Sequence, residues 1–105
     1  MDNTLENMLA AAQRAAGVHW NDVRDYMKRE LAAAQEEARA IALEVANGVK
    51  TPEQAQVELQ SIKASLEDVK LALTVAAKAA AQDAINAALE VLRGAVNSAA
   101  KVAIF

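Results

Sequence analysis

His19 is the only histidine of the chain and lies in its most chemically varied segment, together with Trp20, Arg24 and Tyr26. Trp, Tyr and Arg are the residue types that most often anchor protein interfaces, so one interpretation of this segment is a binding hot spot. The other interpretation is that Trp20 fills core, His19 is exposed at a helix end and Arg24 is surface charge. We favour the second interpretation, because large aromatic residues are commonly buried and charged residues on a helix are commonly solvated.

Residues that could bind a metal do not occur at the required spacing. A di-iron site in a helical bundle needs a Glu followed three residues later by a His on two helices. His19 has no Glu three or four residues away, and Asp68 and Asp83 are the only carboxylates expected on the apolar side of the second helical segment. One histidine cannot complete such a site. We therefore predict no metal and no cofactor.

Catalytic residue types are present but are not arranged for catalysis. Glu36 and Glu37 are adjacent carboxylates, yet neighbours in a helix point in different directions, and both belong to a solvated face. The hydroxyl residues expected on helices without a base beside them are Ser61, Ser65, Thr74 and Ser98. No glycine cluster precedes a helix to bind phosphate. The sequence predicts a protein that is not an enzyme.

The composition favours helices. The chain has 105 residues, of which 54% are hydrophobic but only 3% aromatic, and about a quarter are Ala. Ala is the best helix former and a small core residue, so closely packed helices are expected. With few Gly and Pro residues and no alternating β-branched run, no strand is predicted. We predict an all-α fold with a single helical domain over residues 1–105.

Charge and targeting signals exclude several classes of partner and location. The net charge of −3 gives no basic footprint for nucleic acid. No stretch reaches the roughly 18 uncharged apolar residues that a membrane span needs. The acidic start MDNTLENM does not resemble an export signal, so a cytoplasmic location is expected.

One turn is strongly marked, within ANGVKTPEQAQ at residues 46–56. Gly48 can adopt the left-handed conformation that ends a helix after Asn47. Thr51 and Gln54 can form a capping box around Pro52, which suits the first helical position. A connection this short makes its flanking helices antiparallel neighbours, so a long helical hairpin is expected. The predicted boundaries are a helix over about 3–46, a turn over 47–51 and a helix over about 52–101.

The first arm of this hairpin leaves two alternatives open. Asn3 and Glu6 resemble a capping box that starts it. Around residues 17–21, Gly17 either breaks the arm into two helices or only weakens and kinks one. Further along, apolar residues recur at steps of four and three, which is typical of a narrow coiled-coil seam. That seam comprises Met27, Leu31, Ala34, Ala38, Ile41 and Val45.

The second arm becomes almost entirely apolar in its later half. Its polar residues shrink to a thin line that includes Asp83, Glu90 and Arg93, and a helix of this kind needs neighbours on more than one face. Either residues 3–16 fold back across a break at Gly17, or two copies pair, and a dimer or higher homo-oligomer is expected. The predicted interface residues are Leu5, Leu9, Trp20, Ile85, Leu89, Leu92 and Val96.

Two functional classes follow from these patterns. The first is a structural or interaction protein that associates through helices, either with itself or with a partner helix. The alternative is an amphipathic protein whose later half, ending in KVAIF, lies on a membrane surface or binds an apolar ligand. Surface-binding helices are usually enriched in Lys and Arg, whereas here Asp83 and Glu90 offset Arg93 and Lys101. We therefore expect a protein partner rather than lipid.

Overall fold

The fold is all-α, as predicted. The computed structural model describes residues 3–69 and 73–105, and no strand occurs in these ranges. The helices are Thr4–Ala16 (α1), Trp20–Ala46 (α2), Pro52–Val69 (α3) and Val75–Ala100 (α4), with a short 3₁₀ turn over Gly17–His19 between α1 and α2.

The first arm changes direction at Gly17. This residue has φ 59° and ψ −129°, a combination outside the helical region, and its amide bonds to the carbonyl of Gln13 as α1 ends. One straight helix from Thr4 to Ala46 would be about 64 Å long, whereas the largest dimension of the molecule is 43 Å. The arm is therefore broken, and α1 packs against both α2 and α4. Asn3 stands at the N-cap of α1 but its side chain makes no capping bond, so the predicted box with Glu6 does not form.

The turn between α2 and α3 has the predicted chemistry. Gly48 has φ 75° and donates from its amide to the carbonyl of Val45, while the amide of Val49 donates to the carbonyl of Glu44. These two bonds form a Schellman motif. On the other side of the turn, the Gln54 amide donates to Thr51 Oγ1 at 3.2 Å, and the Thr51 amide donates to Gln54 Oε1 at 3.0 Å. The capping box is confirmed.

Replacing Gly48 by Val should destabilise the protein by on the order of 1 kcal/mol, because a β-branched residue would be held at positive φ. A Cβ at this position meets no atom within 4 Å, so the cost arises from the backbone alone. Thermal melting followed by circular dichroism measures the effect. Gly48→Asn is the control and should cost less, since Asn tolerates this conformation. Equal melting temperatures for the wild type and Gly48→Val would contradict the prediction.

The predicted continuous helix over about 52–101 is wrong. Thr74 has an extended backbone, with φ −64° and ψ 163°, and its Oγ1 accepts a bond from the amide of Ala77, so it caps a new helix. A straight helix over 52–100 would be about 73 Å long, which exceeds the 43 Å dimension of the molecule. Residues 70–72, which the prediction included, lie outside the described residues.

The four helices form a bundle in which neighbours along the chain run in opposite directions. Lys63 of α3 lies beside residues 86–93 of α4, and Gln56 lies beside residues 103–105, so α4 returns along α3. α4 packs mainly on α1 and α2, whereas α3 packs mainly on α2. Its buried positions come in adjacent pairs four residues apart, as expected for a helix covered on two sides. Those pairs are Ala80 and Ala81, Ala84 and Ile85, and Ala88 and Leu89.

Residues 101–105 fold back onto the bundle. Lys101 ends α4 in the left-handed conformation, with φ 64°. Asn97 Oδ1 then accepts bonds from the amides of Ile104 at 2.8 Å and Phe105 at 2.9 Å, and Asn97 Nδ2 donates to the Phe105 carbonyl. Ile104 is buried as a result and Phe105 is half-buried beside α3. This segment therefore adds an apolar contact between α3 and α4.

Candidate functional site

Four of the predicted interface residues lie inside the single chain. Ile85, Leu89, Leu92 and Val96 on α4 are all buried in the hydrophobic core. Because α1 folds back across Gly17, it covers α4, as in the predicted alternative in which residues 3–16 close the bundle without a second copy. These four side chains are therefore not on the surface of the folded chain. Homo-oligomerisation stays a prediction, but an exposed α4 no longer supports it.

The other three predicted interface residues lie at the edge of the core. Leu5, Leu9 and Trp20 are partly buried and pack against the buried cluster. The interpretation of the segment around Trp20 as a binding hot spot requires the side chains of Arg24 and Tyr26 to lie on the same side of α2. They project about 160° apart around α2, and the Tyr26 hydroxyl is directed toward the Leu66 carbonyl at 3.5 Å.

His19 makes only a local, exposed contact. Its Nδ1 lies 3.3 Å from Asp22 Oδ2, and the His19 side chain is 45% exposed. Arg24 likewise lies beside its neighbour Asp25, with 3.6 Å between Nε and Oδ1. Within residues 3–69 and 73–105, no group of three His, Cys, Asp or Glu residues could hold a metal ion. Ser61 donates to the carbonyl of Val57 on its own helix.

A groove on the outer side of the bundle, between α2 and α3, brings apolar and charged residues together. We call it the α2–α3 groove. Its base contains Ile41 of α2 and Ile62 of α3, and its volume is about 410 Å³. Small or acidic residues form its rims, and Lys50 closes the end that lies next to the turn between α2 and α3. Those rim residues are Glu37, Ala40 and Glu44 from α2, with Glu58, Ser61 and Ser65 from α3.

Lys50 links the two acidic rims at the turn end of the groove. Its Nζ forms an ion pair with Glu58 of α3 and lies 3.4 Å from Oε2 of Glu44 on α2. The hydrogen bond to Glu58 raises the pKa of Lys50 above its ordinary value, with Glu44 adding to the effect. Lys50 therefore stays charged in the folded protein and holds the two helix ends together across the turn.

Three glutamates line the α2 side of the groove at a spacing of seven residues. They are Glu30, Glu37 and Glu44; Glu30 lies beside Leu66 in a smaller cavity that adjoins the groove and shares Glu37, Ile62 and Ser65 with it. Seven residues are about two helical turns, or roughly 10.5 Å, so these carboxylates lie one above another on one side of α2. Arg29 pairs with Glu30, at 3.3 Å between Nε and Oε1. Among the described residues, no cation lies within 4.0 Å of Glu37.

Tyr26 lies one helical turn before Glu30 on α2 and reaches across to α3. Partial burial, which disfavours the charged phenolate, raises the pKa of Tyr26 to about 12. The negative charge of Glu30 adds to the increase, and the positive charge of Arg29 opposes it. Since the neutral hydroxyl is the form that contacts Leu66, ionisation of Tyr26 should weaken the packing of α3 on α2.

Stability should fall as the pH rises from about 10 to about 12, the interval between the ordinary and the folded pKa of Tyr26. In this interval the unfolded chain loses its phenolic proton and the folded chain keeps it, which favours unfolding. Urea unfolding at a series of pH values measures the slope. Tyr26→Phe cannot ionise and should flatten it. An equal slope in both proteins would contradict the prediction.

This groove was not predicted from the sequence, although the sequence contains one signal for it. Glu30, Glu37 and Glu44 each precede a residue of the α2 seam, namely Leu31, Ala38 and Val45, so their common side of the helix could have been recognised. The α3 side of the groove could not be recognised in this way. Its members Ser61 and Ser65 look like ordinary solvated residues until α3 is placed against α2.

Across the described ranges, no helix combines the length and the apolar composition required to cross a membrane. Comparison of the chain with protein-family models, with curated proteins and with solved structures gives no match.

Proposed function

We propose that this chain is a non-enzymatic interaction protein that binds a partner helix in the α2–α3 groove. The supporting observation is the cross-section of the groove: Ile41 and Ile62 form an apolar base between rims that carry the small residues Ala40, Ser61 and Ser65. Small rim residues allow another helix to approach closely, and an apolar base receives the apolar face of an amphipathic helix. A cytoplasmic location is part of the same proposal.

The length of the groove also suits a helix. The groove itself extends from Lys50 and Glu44 to Glu37, and the adjoining smaller cavity continues this line to Glu30. Glu30 and Glu44 are about four turns apart on α2, or roughly 21 Å. A partner helix of comparable length could lie along the whole groove and contact both α2 and α3.

Filling the groove should abolish partner binding. Ala40 is exposed on the α2 rim, so Ala40→Trp places a large side chain over the base with little effect on the core. Ala79→Trp is the matched control, since Ala79 is also exposed but lies on α4, away from the groove. Tagged wild-type and variant proteins are compared by affinity capture from native lysate, after melting curves have shown that all three fold.

The proposal requires a protein that the wild type and Ala79→Trp both retain and that Ala40→Trp loses. Capture that Ala40→Trp leaves unchanged would contradict it, as would capture of nothing above background. Light scattering at micromolar concentration tests the homo-oligomer in parallel. An oligomer that Ala40→Trp dissociates would identify the partner helix as one from a second copy.

The alternative from the sequence, binding to a membrane surface, can be tested with the same proteins. Its main candidates on α4 are buried against α1 and α2, so lipid binding would require α1 to open. Sedimentation with vesicles that contain anionic lipid measures it directly. Vesicle-bound wild-type protein, with no partner helix bound, would favour the alternative over the proposal.

A further inference from the structure

We propose that the partner helix is basic and carries Lys or Arg at seven-residue intervals opposite Glu30, Glu37 and Glu44. This inference rests on the proposed function, because it specifies the chemistry of the helix that occupies the α2–α3 groove. It follows from three observations: the spacing of the three carboxylates, the residues that face them across the groove, and the distribution of cations in the chain.

The spacing matches the geometry of paired helices. In packed helices with a seven-residue repeat, the residue that flanks the apolar seam carries the charge that selects the partner. Glu30, Glu37 and Glu44 recur at this interval along the α2 side of the groove, next to the apolar base formed by Ile41 and Ile62. A helix along the groove would therefore present one residue to each carboxylate at every second turn, and a cation at that position is the complementary choice.

The residues of α3 do not supply these cations. Across the groove from the three carboxylates, α3 contributes Ser61, Ser65 and a further carboxylate, Glu58. Lys50 is already shared between Glu44 and Glu58, and Arg29 is paired with Glu30. Within the described part of the chain, four carboxylates thus face two cations, and Glu37 at the centre of the groove is left for a partner.

A second copy of this chain does not provide the complementary helix. The chain has eleven Lys and Arg residues, yet no three of them follow one another at intervals of seven. Its net charge of −3 would also oppose the approach of another copy to an acidic groove. The occupant is therefore inferred to be a helix of a different protein, one with a basic side next to an apolar seam.

Two synthetic helical peptides of about three heptads test the inference. Both carry the same Leu seam, and the residues flanking it are Lys in the first peptide and Glu in the second. Each is labelled with a fluorophore, and its binding to the full chain is measured by anisotropy at low and at high salt. We expect binding of the Lys peptide alone, weakened at high salt because exposed ion pairs are screened.

Charge reversal locates the binding site. Glu37→Lys should weaken binding of the Lys peptide by about five- to tenfold, as one attraction becomes a repulsion. Glu36→Lys is the matched control: it makes the same charge change at the preceding residue, which is exposed and points about 100° away around α2. Its effect should be less than about twofold.

Each other outcome has a definite meaning. Equal weakening by Glu37→Lys and Glu36→Lys would overturn the inference, because attraction to the net charge would then explain the binding. Equal binding of the Glu and Lys peptides, abolished by Ala40→Trp, would also overturn it while leaving the proposed function in place. Failure of both peptides to bind would overturn the inference, and the capture experiment with Ala40→Trp would then decide the proposed function separately.

Discussion

Leu92→Glu is expected to unfold the protein. Leu92 is fully buried on α4, at 0% exposure, so the variant loses a core side chain and places a carboxylate without a partner among apolar residues. Truncation of a buried Leu alone costs about 2–5 kcal/mol, and the charge adds to this because its hydration is lost. The sum is comparable with the roughly 5–15 kcal/mol that stabilises a whole domain. Circular dichroism at neutral pH should show the loss of most helical signal.

Two further measurements identify burial as the cause. Val57→Glu introduces the same carboxyl at a position that is 69% exposed on α3, and its stability should stay within about 0.5 kcal/mol of the wild type. In Leu92→Glu, burial raises the pKa of the introduced carboxyl in the folded state. The loss of stability relative to the wild type should therefore shrink as the pH falls and the group becomes neutral. A folded Leu92→Glu with wild-type stability at neutral pH would show that α4 is not enclosed.

Gly17→Ala is expected to have the second largest effect, about 1–3 kcal/mol of destabilisation. The φ of 59° and ψ of −129° at this position lie near a region that is almost exclusive to Gly. An added Cβ would meet no atom within 4 Å, so the cost is conformational rather than steric contact with a neighbour. The strain is relieved if α1 straightens in line with α2. That would uncover α4, and a second copy could then cover it.

Urea unfolding and sedimentation over a range of concentrations test this prediction. Gly17→Ala should be less stable than the wild type, and its melting temperature and mass should rise more steeply with concentration than those of the wild type, whose α4 is covered by its own α1. Gly94→Ala is the control: Gly94 is exposed within α4, and Ala should stabilise the helix there by about 0.5–1 kcal/mol. Gly17→Ala as stable as Gly94→Ala, with an unchanged mass, would refute the assignment of Gly17 as the break.

The sequence predicted the turn at residues 47–51 in chemical detail. Gly48 and the pair of Thr51 and Gln54 form the bonds expected of them, because each bond joins residues within three to five positions of one another. Interactions at this range depend little on the rest of the fold. The same is true of the α2 seam, whose members from Met27 to Ile41 are buried as their spacing indicated. For the groove, the spacing of the α2 carboxylates could be predicted from the sequence, but the α3 residues that lie opposite them could not.

Other features depended on contacts between distant parts of the chain. Gly17 permits either a kink or a break at similar local cost, and only the packing of α1 on α4 selects the break. Thr74 starts α4 with a cap but without the Glu or Gln that would complete a box, so its local signal was weak. The return of residues 101–105 depends on Asn97, which binds them across seven and eight positions. In each case the local conformational preference does not by itself select the observed backbone path. The burial of apolar surface between helices determines which path the chain takes.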